Sequence, residues 1–441
     1  MKNNINEKFL LKTILRFGIP SIFTMWIYSL YTIVDGIFIG KYLGSNAIAA
    51  VNIVMPFINF SFALGIMIAI GSGTMITINL GRGLFNKANK VYSTGIEILF
   101  ILGGFLGIIG IFFNESIVKL LGASDFIVKF SQDYLFTISW FTVFYLLSYG
   151  FEIFIRIDGN PTYSMFCNLC GAFINIILDY IFIIHFNWGI KGAGFATGLA
   201  QFTVSILMLI YLKKHTNKFK FSFEKIELYL FKNICFKGSP EFLTEVTTGI
   251  VIATFNINIM KTIGENGLSA FGIIGYISTI VTMTMIGFSQ GLQPIISYCL
   301  GSKKFHTIKK IIKIGIIIVF SLGVLFYLLI NIFSNQIIDT FISNNDYLHK
   351  VANDAIRLYS FTYILLGINI IISSYFTAIE NPIISSTLSL LRGIIIINTL
   401  LYILPILLEN NGIWLSAPLN EVFTLFFSIF LFIKFGNKKL N

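Results

Sequence analysis

Charge is what this chain has least of: 12% of its 441 residues are Asp, Glu, Lys or Arg, about half the share in a soluble domain. So few charged groups cannot clothe a water-facing surface, and so apolar a chain cannot remain disordered. A soluble globular protein is excluded. There are four cysteines. Two of them, Cys167 and Cys170, form a C-x-x-C inside an apolar run, without the further ligands a zinc site needs. They read as small buried residues. The four histidines, His185, His215, His306 and His349, lie near the ends of apolar runs. Neither H-E-x-x-H nor G-x-S-x-G occurs, which leaves an enzyme of the metal-hydrolase or serine-hydrolase type without its motif. No small-residue cleavage site follows a short apolar region near the N-terminus, so the first apolar run is expected to be retained and to direct insertion.

What the chain does have is apolar mass. It is 56% hydrophobic, with a mean hydropathy of +0.84. Runs long enough to cross a bilayer as helices fall at 14–40, 47–80, 90–113, 131–157, 161–186, 191–213, 232–262, 267–300, 307–333, 351–379, 383–408 and 412–435. They are continuously apolar instead of alternating, which excludes a β-barrel. The expected fold is an all-α polytopic membrane protein of twelve spans.

The net charge of +11 is explained by placement. Lys2, Lys8, Lys12 and Arg16 precede the first span, and Arg82, Lys87 and Lys90 follow the second. Lys213, Lys214, Lys218, Lys220, Lys225, Lys232 and Lys237 surround the gap after the sixth. Lys303, Lys304, Lys309, Lys310 and Lys313 follow the eighth, and Lys434, Lys438 and Lys439 close the chain. Alternate gaps are poorer in lysine, which is the positive-inside pattern and predicts both termini in the cytoplasm. A nucleic-acid partner is excluded, because these lysines mark a membrane surface and not a basic face on a soluble module.

Residues 16–96 and 236–316 read as one design written twice. At an offset of 220, Gly18 meets Gly238, Pro20 meets Pro240, Gly44 meets Gly264, Gly71 meets Gly291, Gly81 meets Gly301 and Gly95 meets Gly315. Each window holds ten glycines and five coincide, where chance gives about one. Asn160-Pro161 meets Asn381-Pro382 at 221. Six spans return the chain to its starting side, so the repeats are parallel, the plan of a two-lobed transporter around a central cavity. The expected division is a lobe at 1–213, a cytoplasmic linker at 214–231 and a second lobe at 232–441.

Ionisable groups inside apolar runs cost about 2.5–3.5 kcal/mol each on insertion scales, so each needs a reason. Asp35 lies six residues before Lys41, and Asp179 six before His185, with Asn175 one turn away on the same face. Thr197 lies six residues past Lys191. These four share one depth near the outer surface of the first half. Two carboxylates, an amide oxygen and a hydroxyl suit Na⁺ as hard donors. They equally suit a proton, because two buried acids that meet cannot both ionise cheaply. The plainer alternative is that Asp35 caps a break at Gly36 and Asp179 bonds neighbouring hydroxyls. Tyr31, one turn before Asp35, is a substrate-cavity candidate. So is Glu245, deeper in the seventh span than Glu241, which reads as a helix-start acid. Gln290 and Gln293 flank Gly291 and precede Pro294, and a broken helix facing a cavity is expected there. Glu152 with Arg156 at i,i+4, Glu97 and Arg392 read as intramembrane pairs or snorkelling groups, while Glu421 has no evident partner. Trp188 and Trp414 at outer span ends fit an interfacial belt.

These residues carry a resemblance to the multidrug and toxic compound extrusion (MATE) transporters over nearly the whole chain. Gly71-Ser72-Gly73-Thr74 through Leu80-Gly81-Arg82-Gly83 resembles the family's second span and basic loop. Gly291-Leu292-Gln293-Pro294-Ile295-Ile296-Ser297-Tyr298 is similar to its G-x-Q-P-x-x-x-Y. Arg156-Ile157-Asp158-Gly159-Asn160-Pro161 resembles its R-x-x-G-N-P. The resemblance implies a cation-coupling site at Asp35, Asn175, Asp179 and Thr197, a first span that bends at Pro20, and a glutamate role for Glu245. The duplicates of Asp35 and Asp179 are Phe255 and Leu400, so a second copy of the site is not expected. The implied activity is antiport of amphipathic, cationic organic compounds against H⁺ or Na⁺, by a monomer without a cofactor. Two alternatives are a lipid-linked oligosaccharide flippase, whose phosphates would call for a cationic cavity, and a membrane-embedded lipid enzyme.

Overall fold

The computed structural model describes residues 9–216, 219–223, 225–341 and 346–436. Lys2, Lys8, Lys218, Lys438 and Lys439 of the basic clusters lie outside the described residues. Among the described residues there is no β-strand, as expected where lipid offers the backbone no hydrogen bonds and each helix must satisfy its own.

The helices run α1 (Leu10–Leu43), α2 (Ser45–Gly81), α3 (Phe85–Phe112), α4 (Asn114–Leu120), α5 (Val128–Ser139), α6 (Thr142–Asp158), α7 (Pro161–Asp179) and α8 (Gly189–Lys214). The second half follows with α9 (Leu228–Thr262), α10 (Glu265–Gly301), α11 (Phe305–Ile332), α12 (Ser334–Asp339), α13 (Asp346–Tyr359), α14 (Thr362–Ala378), α15 (Pro382–Leu390) and α16 (Ile397–Phe435). A wide, i→i+5 helical turn extends α7 over Tyr180–His185, and another joins α15 to α16 over Leu391–Ile396. Among the described residues, nine continuous helical stretches are long and apolar enough to span a membrane, and the bent pairs α5/α6 (52°) and α13/α14 (42°) bring the total to eleven. Glu409, with φ 49°, interrupts the 54-residue stretch Pro382–Phe435, and that break supplies the twelfth span.

The duplication is visible in the backbone. Asn160 and Asn381, which precede the N-terminal prolines of α7 and α15, have φ/ψ of −124°/61° and −119°/64°. Left-handed turns recur at matching positions, but with different residues: Gly83 (φ 75°) against Lys303 (58°), and Gly159 (105°) against Glu380 (58°). Glycine adopts this conformation without a β-carbon clash, which the lysine and glutamate must bear.

By internal contacts the described chain forms two compact units. One is Phe23–Phe242; the other joins the residues up to Ile22 with Leu243–Asn441. Each unit thus contains a helix half from the opposite repeat, at the end of the first and the start of the second. Both crossovers fall two residues past a proline, Pro20 in α1 and Pro240 in α9, where the missing N–H removes one rung of the helical ladder. Both helices nevertheless run through unbroken.

The sequence glycines account for how the borrowed halves seat. In the first unit a β-carbon at Gly238 would lie 1.8 Å from the Met67 carbonyl oxygen, and one at Gly71 would lie 2.1 Å from that of Ile234. In the second unit the duplicates make the same crossing: a β-carbon at Gly291 would lie 2.7 Å from the Phe17 carbonyl oxygen, and one at Gly18 would lie 2.6 Å from the Phe288 ring. Only residues without side chains permit backbones this close.

Part of the linker is pinned to α3. Asn89 donates from its amide to the Lys220 carbonyl (2.6 Å) and accepts from the Lys220 N–H (2.7 Å). Tyr92 stacks on Phe219 at 4.9 Å between centroids, and Lys90 pairs with Glu227 at 2.6 Å.

Candidate functional site

Three helix faces of the first unit meet around one small cavity. α1 presents Tyr28, Tyr31 and Asp35 at i, i+3 and i+7. On α7, Asn168, Gly171, Ala172, Asn175 and Asp179 repeat every three or four residues, and α8 adds Thr197, Ala200, Gln201 and Val204. Most of these line the cavity, which has room for about one water-sized particle.

The two aspartates end this stripe of polar groups. Asp35 and Asp179 are both buried, and their carboxyl groups face each other within hydrogen-bonding reach. Asn175, one turn before Asp179, donates from Nδ2 to the Thr197 hydroxyl at 3.4 Å. Among the described residues no protein donor reaches Asp35 Oδ1, Asn175 Oδ1 or either carboxylate oxygen of Asp179. Buried acceptors are almost always satisfied, so four orphaned oxygens in one place call for a positive partner. Na⁺ and a shared proton both fit that donor set. The wide turn beginning at Tyr180 directly follows Asp179, and such turns often mark functional positions in helices.

A second polar cluster adjoins the cavity. Glu152 and Arg156, 0% and 2% exposed, form an ion pair one turn apart on α6. The Tyr28 hydroxyl lies 2.9 Å from Glu152 Oε2 and 3.2 Å from Asn168 Oδ1, and Asn168 donates from Nδ2 to Glu152 Oε2 at 3.1 Å. A buried pair gains from hydrogen bonds to its remaining lone pairs; here Tyr28 and Asn168 supply them to the second oxygen of Glu152. Ser148 donates to the Gln201 carbonyl oxygen at 2.9 Å, and Tyr31 lies within reach of Gln201.

The structure therefore brings together Asp35, Asn175, Asp179, Thr197 and, beside them, Tyr31. It does not bring the remaining cavity candidates there. Glu245, half-buried on α9, and Gln290 and Gln293, buried on α10, belong to the second unit. The broken helix expected at Gln290–Pro294 is absent: α10 is continuous through Pro294, because one lost hydrogen bond does not break a helix buried along this stretch. Pro20 is likewise accommodated inside α1. Trp414 is 2% exposed and belongs to the core, not to an interfacial belt, while Cys170 is exposed where burial was expected.

Sequence reading missed Tyr134, Gln201, Tyr28 and Asn168. Tyr134, buried on α5, faces both aspartates. Gln201 stands at i+4 from Thr197, and Asn168 extends the Asn175/Asp179 face by two turns, so a helical polar stripe was available as a signal for both.

Among its described residues the second unit has no copy of this arrangement. Phe255 is buried and stacks on Phe271 at 5.1 Å, with the rings 14° apart. Glu421, which had no evident partner in the sequence, accepts from Arg392 Nε at 2.8 Å and from Asn369 Nδ2 at 2.7 Å.

Comparison with known proteins agrees with this architecture. The MatE family model matches residues 20–181 and again 240–403, once per repeat. Among curated proteins, the multidrug export protein MepA of Staphylococcus saprophyticus is 29% identical over 342 residues, covering 74% of each chain. The probable multidrug resistance protein YoeA of Bacillus subtilis is 24% identical over 371 residues, covering 81% of this chain and 79% of its own. Among solved structures, an outward-facing multidrug resistance MATE transporter of the MOP superfamily superposes with a TM-score of 0.91 at 21% identity, covering 97% and 96% of the two chains. A mutant of the Vibrio cholerae MATE transporter VcmN gives 0.90 at 18% identity, covering 96% of both.

Proposed function

Because the chain belongs to the MatE family of membrane transporters, we propose that it is a cation-coupled antiporter exporting amphipathic, cationic organic compounds from the bacterial cytoplasm. The observation that carries this reading is the set of unpartnered buried oxygens on Asp35, Asn175 and Asp179, beside a cavity lined by Tyr28 and Tyr31. A cavity of this size suits the coupling ion, and the same aromatic faces and carboxylates would attract flat organic cations once it widens. The names of MepA and YoeA, multidrug export and resistance proteins, point the same way.

The coupling is competition. Without a bound ion, the Asp35/Asp179 pair retains negative charge that favours cationic cargo. When H⁺ or Na⁺ enters from outside, that charge is neutralised and affinity for cargo falls. An ion drives the cycle only through its different affinity for the two states. Asp35 is carried on α1, and Pro20 gives that helix a place to bend as the site fills and empties. Thr197 and Asn175 supply neutral oxygens that hold the ion. The protein acts as a monomer in the inner membrane, with both termini in the cytoplasm.

The test is ethidium efflux from cells carrying Asp35→Asn, which keeps the shape and removes the charge. Export is expected to stop while membrane insertion is unchanged; wild-type efflux from the variant would overturn the reading. Proteoliposomes with H⁺ and Na⁺ gradients imposed separately identify the ion.

A further inference from the structure

The two units repeat one helical plan, yet at positions where the first unit lines its cavity the second carries an ion pair. The register that pairs Asn160-Pro161 with Asn381-Pro382, an offset of 221, sets Arg392 opposite Gly171, a cavity-lining residue. The register that pairs Gly192 with Gly412, an offset of 220, sets Glu421 opposite Gln201. The Ser148–Gln201 hydrogen bond of α6 and α8 thus has a counterpart in the Asn369–Glu421 bond of α14 and α16, now with a carboxylate as acceptor. Its two oxygens are capped separately, Oε1 by Arg392 and Oε2 by Asn369. Helix packing closes the same region. Thr244 on α9 bonds Ser389 on α15 at 2.9 Å, and a β-carbon at Gly393 would lie 2.4 Å from Thr247 Cβ. Arg392 and Gly393 both lie in the wide turn Leu391–Ile396.

We propose that Arg392 is a tethered counter-ion: its guanidinium takes, in the second unit, the role that the exchangeable cation plays in the first. Arginine stays protonated under all physiological conditions, so Glu421 remains charged and paired and loads no ion from solution. Ion coupling is thereby confined to the first unit. The inference rests on the cation-coupled reading of Asp35 and Asp179, but it concerns a carboxylate that can be followed independently. Among the described residues, Arg392 bonds Glu421 and the Tyr359 phenol lies near enough to feel its charge.

The test uses the full-length protein in lipid and pH-jump infrared difference spectra, which read protonation of buried carboxyls directly. Arg392→Ala is expected to gain a carboxylic-acid band equivalent to one group per chain. The added Glu421→Gln should remove that band, and added Asp35→Asn should leave it in place. A spectrum of Arg392→Ala identical to wild type overturns the proposal. Should Arg392→Ala fail to fold, Glu421→Gln alone decides, by the number of cations moved per ethidium in proteoliposomes. An unchanged number supports the tethered ion, and a loss of one cation overturns it by showing that Glu421 loads an ion itself. Failure of the first-unit reading would appear elsewhere, as normal efflux from Asp35→Asn.

Discussion

The first and second units share helix order, glycine crossings and turn positions, but not their charge arrangement. The first holds two facing aspartates, and among the described residues no protein donor reaches Asp35 Oδ1 or either oxygen of Asp179; the second holds a glutamate capped on both oxygens. A duplicated scaffold can therefore keep its packing while the chemistry of the copies diverges. The glycines sit where backbones touch, and any side chain there disturbs the crossing. Polar positions around a cavity bear no such constraint: Phe255 and Leu400 stand where the first repeat has Asp35 and Asp179, each still within a helix, although the wide turn that follows Asp179 precedes Leu400 in the second repeat.

The sharpest test of that asymmetry is Asp179→Asn set beside Leu400→Met at the duplicate position. The first is expected to reduce dye efflux to background and the second to leave the rate unchanged; equal losses would show that both units couple. Next in size is the buried ion pair. Glu152→Ala strands Arg156, 2% exposed, and removal of one partner of such a pair costs about 3–5 kcal/mol. Arg392 is 27% exposed, so Glu421→Ala should lower the unfolding temperature in detergent by less.

These contrasts bear on what the sequence made legible. Asp35, Asn175, Asp179 and Thr197 stood out because ionisable groups in apolar runs are costly, and because their spacing from span ends fixed a common depth. Tyr134 did not stand out, since one tyrosine among nineteen carries no signal of its own. The Arg392–Glu421 pair was hidden for another reason. Its members lie 29 residues apart on elements joined through a broken helix, and only local i,i+4 pairs such as Glu152–Arg156 can be read from spacing. Span positions were legible to within a few residues, whereas the two wide turns left no mark in the hydropathy. Trp414 was misread because an aromatic near a span end looks the same whether it faces headgroups or neighbouring helices.

Smaller effects refine the comparison further. Gly238→Ala meets a backbone oxygen at 1.8 Å and Gly291→Ala meets one at 2.7 Å. Overpacking costs about 1–3 kcal/mol, and the first variant is expected to lose more thermal stability than the second. Thr197→Ala removes the hydroxyl that accepts from Asn175. With about 1 kcal/mol for a net hydrogen bond, the apparent affinity for the coupling ion should weaken roughly fivefold, read from the ion dependence of efflux. Smallest is Lys303→Gly, which restores at φ 58° the residue type that the first repeat uses at Gly83. Relief of the left-handed backbone should add about 1 kcal/mol of stability, measurable as a rise in melting temperature.

The exchange of helix halves past Pro20 and Pro240 makes each unit depend on an arm that the other repeat carries. Severing the chain between residues 214 and 231 should expose that dependence: each fragment waits for its partner's arm, and coexpression of both restores what neither achieves separately.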